Sequence, residues 1–200
     1  MTMVTDHIFN NTYVLSRMEE YKKNKNLKII QELQQMSFSS DADFLSLYEK
    51  SVSMHQAHKQ KNGEFLEKEI IVGVLDKNGI SYKSQVTIDK SGIIVGFGEK
   101  KKCYHIIDFV IGDHIEVGAS ITKYKVVSCK TTCRERWTQD SWTEKFIPML
   151  YILVTISNDY PPAERFRECN RRKIITCLPK KNDDRAFKLN FENLIEQLLQ

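Results

Sequence analysis

The sequence predicts an α/β (α+β) fold: a central mixed β-sheet flanked by helices, with further helices ahead of it. Three observations carry that expectation. Apolar residues recur at helical spacing up to about residue 79 and at period two beyond it. The run "LYILVTI" at 150–156 is continuously apolar, as a strand covered on both faces must be. From there to the end the pattern alternates strand, helix, strand, helix, which builds layers around a sheet.

Taken in order, residues 18–36 read as a helix, with Leu27, Ile30, Leu33 and Met36 on one stripe. "SSDADFLSLYEKSVSM" opens with good N-cap residues and repeats Phe44, Leu47, Tyr48 and Val52 at helical spacing. The polar stretch "HQAHKQKNG" reads as a separator, dividing an N-terminal helical region, 1–60, from a core, 61–200. "EFLEKEIIVGVLDKNG" is a third helix, with Leu66, Ile70, Ile71, Val74 and Leu75 inward and Asn78-Gly79 as its stop. "ISYKSQVTID" and "GIIVGF" read as strands around a turn at 89–92, and "CYHIIDFVI" and "KYKVVSC" as two more. Residues 132–147 read as a polar helix. "PPAERFRECNRR" is a helix begun by proline, "KIITCL" a last strand and "FENLIEQLL" a closing helix.

The 200 residues fit one domain, or one with a small appendage, and 41% hydrophobic residues with ten Phe can fill its core. Net charge is only +4, and residues 1–60 balance seven acids with seven bases. Residues 161–185 carry eight Lys/Arg (Arg165, Arg167, Arg171, Arg172, Lys173, Lys180, Lys181, Arg185) against four acids. That excess suits a phosphate-facing surface, and equally a solvated one. Five cysteines, odd in number and without a C-x-x-C pair, argue against a disulfide framework or a zinc ribbon and for a reducing cytoplasm. No signal peptide is visible, and the longest apolar run, 146–156, is too short to span a bilayer.

Two charged residues sit where charge is costly. Asp108 interrupts the apolar strand "HIIDFVI". Lys130 ends the strand "YKVVSCK", sharing a face with Ser128 while Val127 and Cys129 face the other way. Alone, a strand-end lysine snorkels to solvent and a lone acid caps or pairs. On adjacent strands they would set a carboxylate able to hold a metal beside an ammonium able to orient a water. Hard cations want several oxygens, so a second acid is required.

A strand Asp followed by a strand ending in acid-x-Lys is similar to the PD-(D/E)xK nuclease superfamily. Ile107 stands where that family has proline, and Ser128 where it has its second acid. One branch, the type II restriction endonucleases cutting CCGG, CCNGG or CCWGG sites, carries [S/T]-x-K with the acid displaced downstream. Here "SCK" is followed after thirteen residues by Glu144. The branch also places R-(D/E)-R just after the lysine, as "KTTCRERW" does, most like the catalytic domain of EcoRII-type enzymes. "GEFLEKEI" followed by "GISYKSQVTI" resembles the family's G-x-x-L-E helix and next strand, which matches Glu67 to its auxiliary acid, with Glu64 and Glu69 as competitors. The resemblance spans about residues 63–157.

It implies that Asp108, Glu144 and the carbonyl of Cys129 hold Mg²⁺, that Lys130 orients the attacking water, and that Glu67 assists. Arg134, Glu135 and Arg136 would read a G·C/G·C step, each arginine forking onto a guanine and the glutamate accepting from cytosine amines. Trp137 would pack behind them. The implied partner is double-stranded DNA, cut by a homodimer or tetramer because a palindrome needs two active sites. The implied setting is a prokaryotic cytoplasm, and the N-terminal helices are the candidate dimer interface. Simpler readings stand beside these. Glu144 closes a capping box with Ser141, the Arg-Glu-Arg run is a surface salt-bridge cluster, and Glu116 is a loop residue. A straight helix would carry Glu144 about 21 Å from Lys130, so the segment has to break near Asp140-Ser141. A repair or recombination nuclease would keep Asp108, Lys130 and Glu144 without the triad. A non-catalytic DNA-binding module would need none of the three, and a cysteine hydrolase on Cys129 or Cys133 lacks a histidine partner.

Overall fold

The structure is a computed structural model describing residues 16, 19–20, 23–24, 27–28, 31, 41–98, 104–130, 143, 145–155, 163–178 and 188–200. Every described position between 16 and 31 is helical. Helix α1, Asp41–Phe65, runs unbroken into a six-residue π-turn, Leu66–Ile71, and on into α2, Val72–Lys77. The stretch expected to separate two regions is therefore helical. Its Lys, Gln and Ala residues are good helix formers, so the helix continues there without an apolar stripe. Gly63 sits within it, facing open space. The helix stops at Gly79, whose φ of 62° takes the left-handed form that ends helices.

Among the described residues seven strands form one sheet: β1 Tyr82–Ile88, β2 Ile94–Phe97, β3 His105–Ile111, β4 Lys125–Lys130, β5 Leu150–Thr155, β6 Ile174–Leu178 and β7 Lys188–Asn190. Their order is β2-β1-β3-β4-β5-β6-β7. The first four pair antiparallel, while β4 to β7 pair parallel, so the sheet is mixed as expected. Helix α3, Ala163–Arg171, crosses between β5 and β6, and α4, Phe191–Leu199, closes the chain.

Both faces are covered. Leu66, Ile70, Ile71, Val74 and Leu75 of the long helical segment, with Leu194, Ile195 and Leu198 of α4, pack on one face against Phe109, Val127, Ile152 and Val154. Cys169 of α3 and Ile115 and Ile121 of the β3–β4 connection cover the other, against Val110, Val126, Tyr151 and Leu153. Alternate residues of β5 thus enter opposite cores, which is why this strand is apolar throughout. Lys125 Nζ donates to the carbonyl of Leu198 at 2.8 Å, satisfying an end of α4 and tying it to β4.

Three expectations meet corrections. β7 was not expected: three residues after a charged stretch carry no readable period. Residues 145–147, read as the end of a polar helix, are a turn and irregular chain. Arg172, counted toward a basic surface, is 8% exposed and ion-paired to Glu168, so burial removes it from any phosphate-facing patch. Arg167, Arg171 and Lys173 are exposed.

Candidate active site

Strands normally keep residues two apart on one face. In β1 and β3 that rule breaks at a single pair. Tyr82 and Phe109 belong to the core under α2 and α4, whereas Val86, Ile88 and Ile107 belong to the opposite core. Between them the β1–β3 ladder pairs Ser84 with Phe109 and Val86 with Ile107 but leaves Gln85 and Asp108 unpaired. Gln85 has a φ of 52°, a left-handed conformation rare outside glycine, and its carbonyl accepts from Gly98 N at 2.7 Å instead of from β3. Asp108 sits at this break.

On its other side, β3 parts from β4 at the same level. The β3–β4 pairing covers Phe109–Val127 to Ile111–Lys125 and stops short of Asp108 and Ser128. β4 stays paired with β5 as far as Lys130–Thr155, so its end is anchored on one side and open on the other. The Asp108 carboxylate fills that opening. Its Oδ2 accepts from Cys129 N at 2.7 Å and from Ser128 Oγ at 3.0 Å, and lies 3.5 Å from Lys130 Nζ. Both members of the ion pair are mostly buried, with side-chain exposures of 16% and 20%. Lys130 is therefore turned inward onto Asp108.

Glu67 comes to the same place from the π-turn. Its carbonyl accepts from the N–H of Val72, five residues on, so the wide turn opens at Glu67. The side chain is half-buried, with Gln85 Nε2 donating to its Oε2 at 3.4 Å. Burial, followed by the Asp108 carboxylate, raises the Glu67 pKa to about 7, against a smaller opposing pull from Lys130. Glu64 and Glu69 are exposed, and Glu64 lies 3.9 Å from Lys68.

The described residues therefore bring together Asp108, Lys130, Ser128, the Cys129 backbone, Glu67 and Gln85. Glu144, Arg134, Glu135, Arg136, Trp137 and the expected break at Asp140-Ser141 lie outside the described residues. Sequence reasoning missed two members. Gln85 gave no signal, because a polar residue in a half-exposed strand is ordinary and its φ is unreadable. The Ser128 hydroxyl was marked by position, standing where an acid was expected, but its bond to Asp108 was not foreseen.

These residues fit a hard divalent cation. All three donors to Asp108 fall on Oδ2, leaving Oδ1 without a hydrogen bond among the described residues. Burial, and then the charge of the first carboxylate, disfavour the ionised form of a second one, Glu67, the electrostatic situation that a cation relieves. The N–H and C=O of one strand residue leave on the same side, so the Cys129 carbonyl also faces the open end of β3. Among the described residues no set of three His, Cys, Asp or Glu side chains converges. Two side-chain carboxylates and a carbonyl make a site that still needs a further oxygen. The Cys129 thiol is buried and pushed well up by burial and by the Asp108 and Glu67 carboxylates, which suppresses a thiolate nucleophile there.

A mixed sheet with helices flanking both faces matches the restriction-endonuclease-like α/β fold. The chain is similar to Ecl18kI, a restriction endonuclease. It superposes on metal-depleted Ecl18kI in complex with uncleaved, modified DNA at a TM-score of 0.59 and 15% identity, covering 90% of this chain and 64% of that one. On metal-depleted Ecl18kI with uncleaved DNA the TM-score is 0.57 and the identity 16%, with the same coverage. The chain thus spans about 64% of the length of the protein it resembles in fold. No protein-family model and no curated protein matches the sequence. Among the described residues no helix is long and apolar enough to cross a membrane.

Proposed function

We propose that this protein is a type II restriction endonuclease, cutting both strands of a palindromic DNA site that contains CC/GG steps, of CCGG, CCNGG or CCWGG type, with Mg²⁺ as cofactor. The observation that carries this reading is the Asp108–Lys130 ion pair at the parting of β3 and β4, 3.5 Å across and mostly buried, with Glu67 facing it. The fold shared with Ecl18kI, seen there in DNA complexes, supports it.

Asp108 Oδ1, the Cys129 carbonyl and Glu144 would hold the cation. When bound, it polarises the scissile phosphate and offsets the charge that develops on it. Asp108 Oδ2 meanwhile fixes Lys130, so that the ammonium orients the attacking water rather than wandering to solvent. Ser128 and the Cys129 N–H hold the Asp108 carboxylate in the rotamer that divides these two tasks between its oxygens. In-line attack then leaves a 5′-phosphate and a 3′-hydroxyl. Glu67, half-buried beside the pair, assists the cation or its water shell. Arg134, Glu135 and Arg136 read the C·G steps from the segment that follows Lys130.

Two active sites per palindrome require a homodimer or tetramer. Residues 1–60 are the proposed contact region and 61–200 the nuclease core. Leu27 and Val52, apolar positions of the two helical stripes, are exposed at 49% and 39% in the single chain, which supports an interface there. The test is direct: incubate the protein with plasmid DNA and Mg²⁺ and sequence the ends. Discrete cuts at one CC/GG-containing palindrome are expected. The proposal fails if no cutting occurs, or if the Asp108→Ala variant cuts equally well.

A further inference from the structure

We propose that Gln85 is a positioning residue: its carboxamide, aimed by a left-handed backbone at the ladder break opposite Asp108, holds the Glu67 carboxylate toward the Asp108–Lys130 pair. This rests on reading the site as one that binds a divalent cation.

Gln85 does two separable things. Its backbone, with φ at 52°, ends β1–β3 pairing for one residue and turns the following apolar side chains to the opposite core. Glycine would do that with less strain, because it has no Cβ to crowd the left-handed conformation. The side chain has to be accounted for by what it touches, and what it touches is Glu67 Oε2, at 3.4 Å and partly buried. Glu67 sits on the π-turn, and neither Lys68 nor Glu64 beside it is buried. From β1, therefore, a neutral donor reaches across to a half-buried carboxylate. A carboxylate tethered in this way is fixed in direction before any cation arrives, and outer hydrogen bonds of this kind orient ligands and strengthen binding.

The two roles come apart in Gln85→Gly and Gln85→Asn. Both residues tolerate positive φ, and neither places an amide at the reach of glutamine. Mn²⁺ is the probe, added to the full chain without DNA and followed by calorimetry beside thermal melting. Both variants are expected to melt no lower than the original protein and to bind Mn²⁺ on the order of tenfold more weakly. Unchanged Mn²⁺ binding in both, with binding lost in Asp108→Ala, overturns the role of Gln85 and leaves the cation site standing. Unchanged binding in Asp108→Ala overturns the cation site and this proposal together. Weaker binding matched by an equal loss of melting temperature in both variants also overturns it, since Gln85 would then serve only to hold the strand. Should Gln85→Gly not fold, Gln85→Asn decides.

Discussion

The backbone N–H of Cys129 donates to Oδ2 of Asp108 at 2.7 Å, so a side chain takes the place of a main-chain carbonyl at the point where β3 and β4 separate. A carboxylate used as a piece of sheet is fixed by the strand it completes. Asp108 is thereby structural and, on the proposed reading, chemical as well, so its removal should show in both properties.

Asp108→Ala removes the oxygen that the Cys129 N–H and the Ser128 hydroxyl donate to, and the carboxylate that a mostly buried ammonium faces. Urea unfolding should report a loss of about 2–4 kcal/mol. Asp108→Asn keeps an oxygen for Cys129 and forfeits the ion pair, so about half that loss is expected. Neither variant should cut plasmid DNA with Mg²⁺.

Glu67 binds its proton more tightly in the folded protein, with a pKa of about 7, than at its ordinary value of 4.5. The resulting stability is fully present below about pH 4.5 and is lost as pH rises through 7. Glu67→Gln has no such charge to bury. Its stability relative to the original protein should therefore climb between pH 4.5 and 7, by about 1 kcal/mol once solvent screening of a half-buried group is allowed for. Denaturant midpoints at pH 4.5, 6 and 7.5 check this, and a flat difference would contradict it.

On the proposed reading, Lys130→Ala removes the ammonium that would orient the attacking water and leaves the groups that would hold the cation in place. Cleavage should fall by about 10²–10⁴-fold. DNA binding measured in Ca²⁺ should persist, because the loss concerns the chemical step. Glu144→Ala should instead weaken Mn²⁺ binding itself, so calorimetry separates the two.

Arg136→Ala should cost about 1–3 kcal/mol of discrimination at one guanine. Cleavage of a substrate library would then show relaxed preference at a symmetric pair of positions. Loss of cleavage with unchanged preference would speak against base reading by this residue.

The elements with a clean period were legible in the sequence. The inward set Leu66, Ile70, Ile71, Val74 and Leu75 and the doubly buried β5 are found as expected, because burial on one or two faces imprints directly on apolar spacing. Asp108 and Lys130 stood out because charge in an apolar strand is costly, and they meet at 3.5 Å. What stayed hidden has no periodic imprint. A left-handed φ at Gln85 breaks the alternation within β1 instead of following it, and the π-turn adds a residue without changing composition. Helical continuity through 55–63 was hidden for the opposite reason: the stretch carries no apolar stripe to read. β7 was too short to show a period at all.

The wide turn at Leu66–Ile71 sets the angular phase of everything before it. Deleting one residue there would restore ordinary winding and swing the whole Asp41–Phe65 rod by about 100° around its own axis relative to α2. Glu67 would leave the Asp108 side of the molecule in the same movement. The rotational setting of the rod and the placement of the Glu67 carboxylate are thus geared to one another, and no redesign of the first can ignore the second.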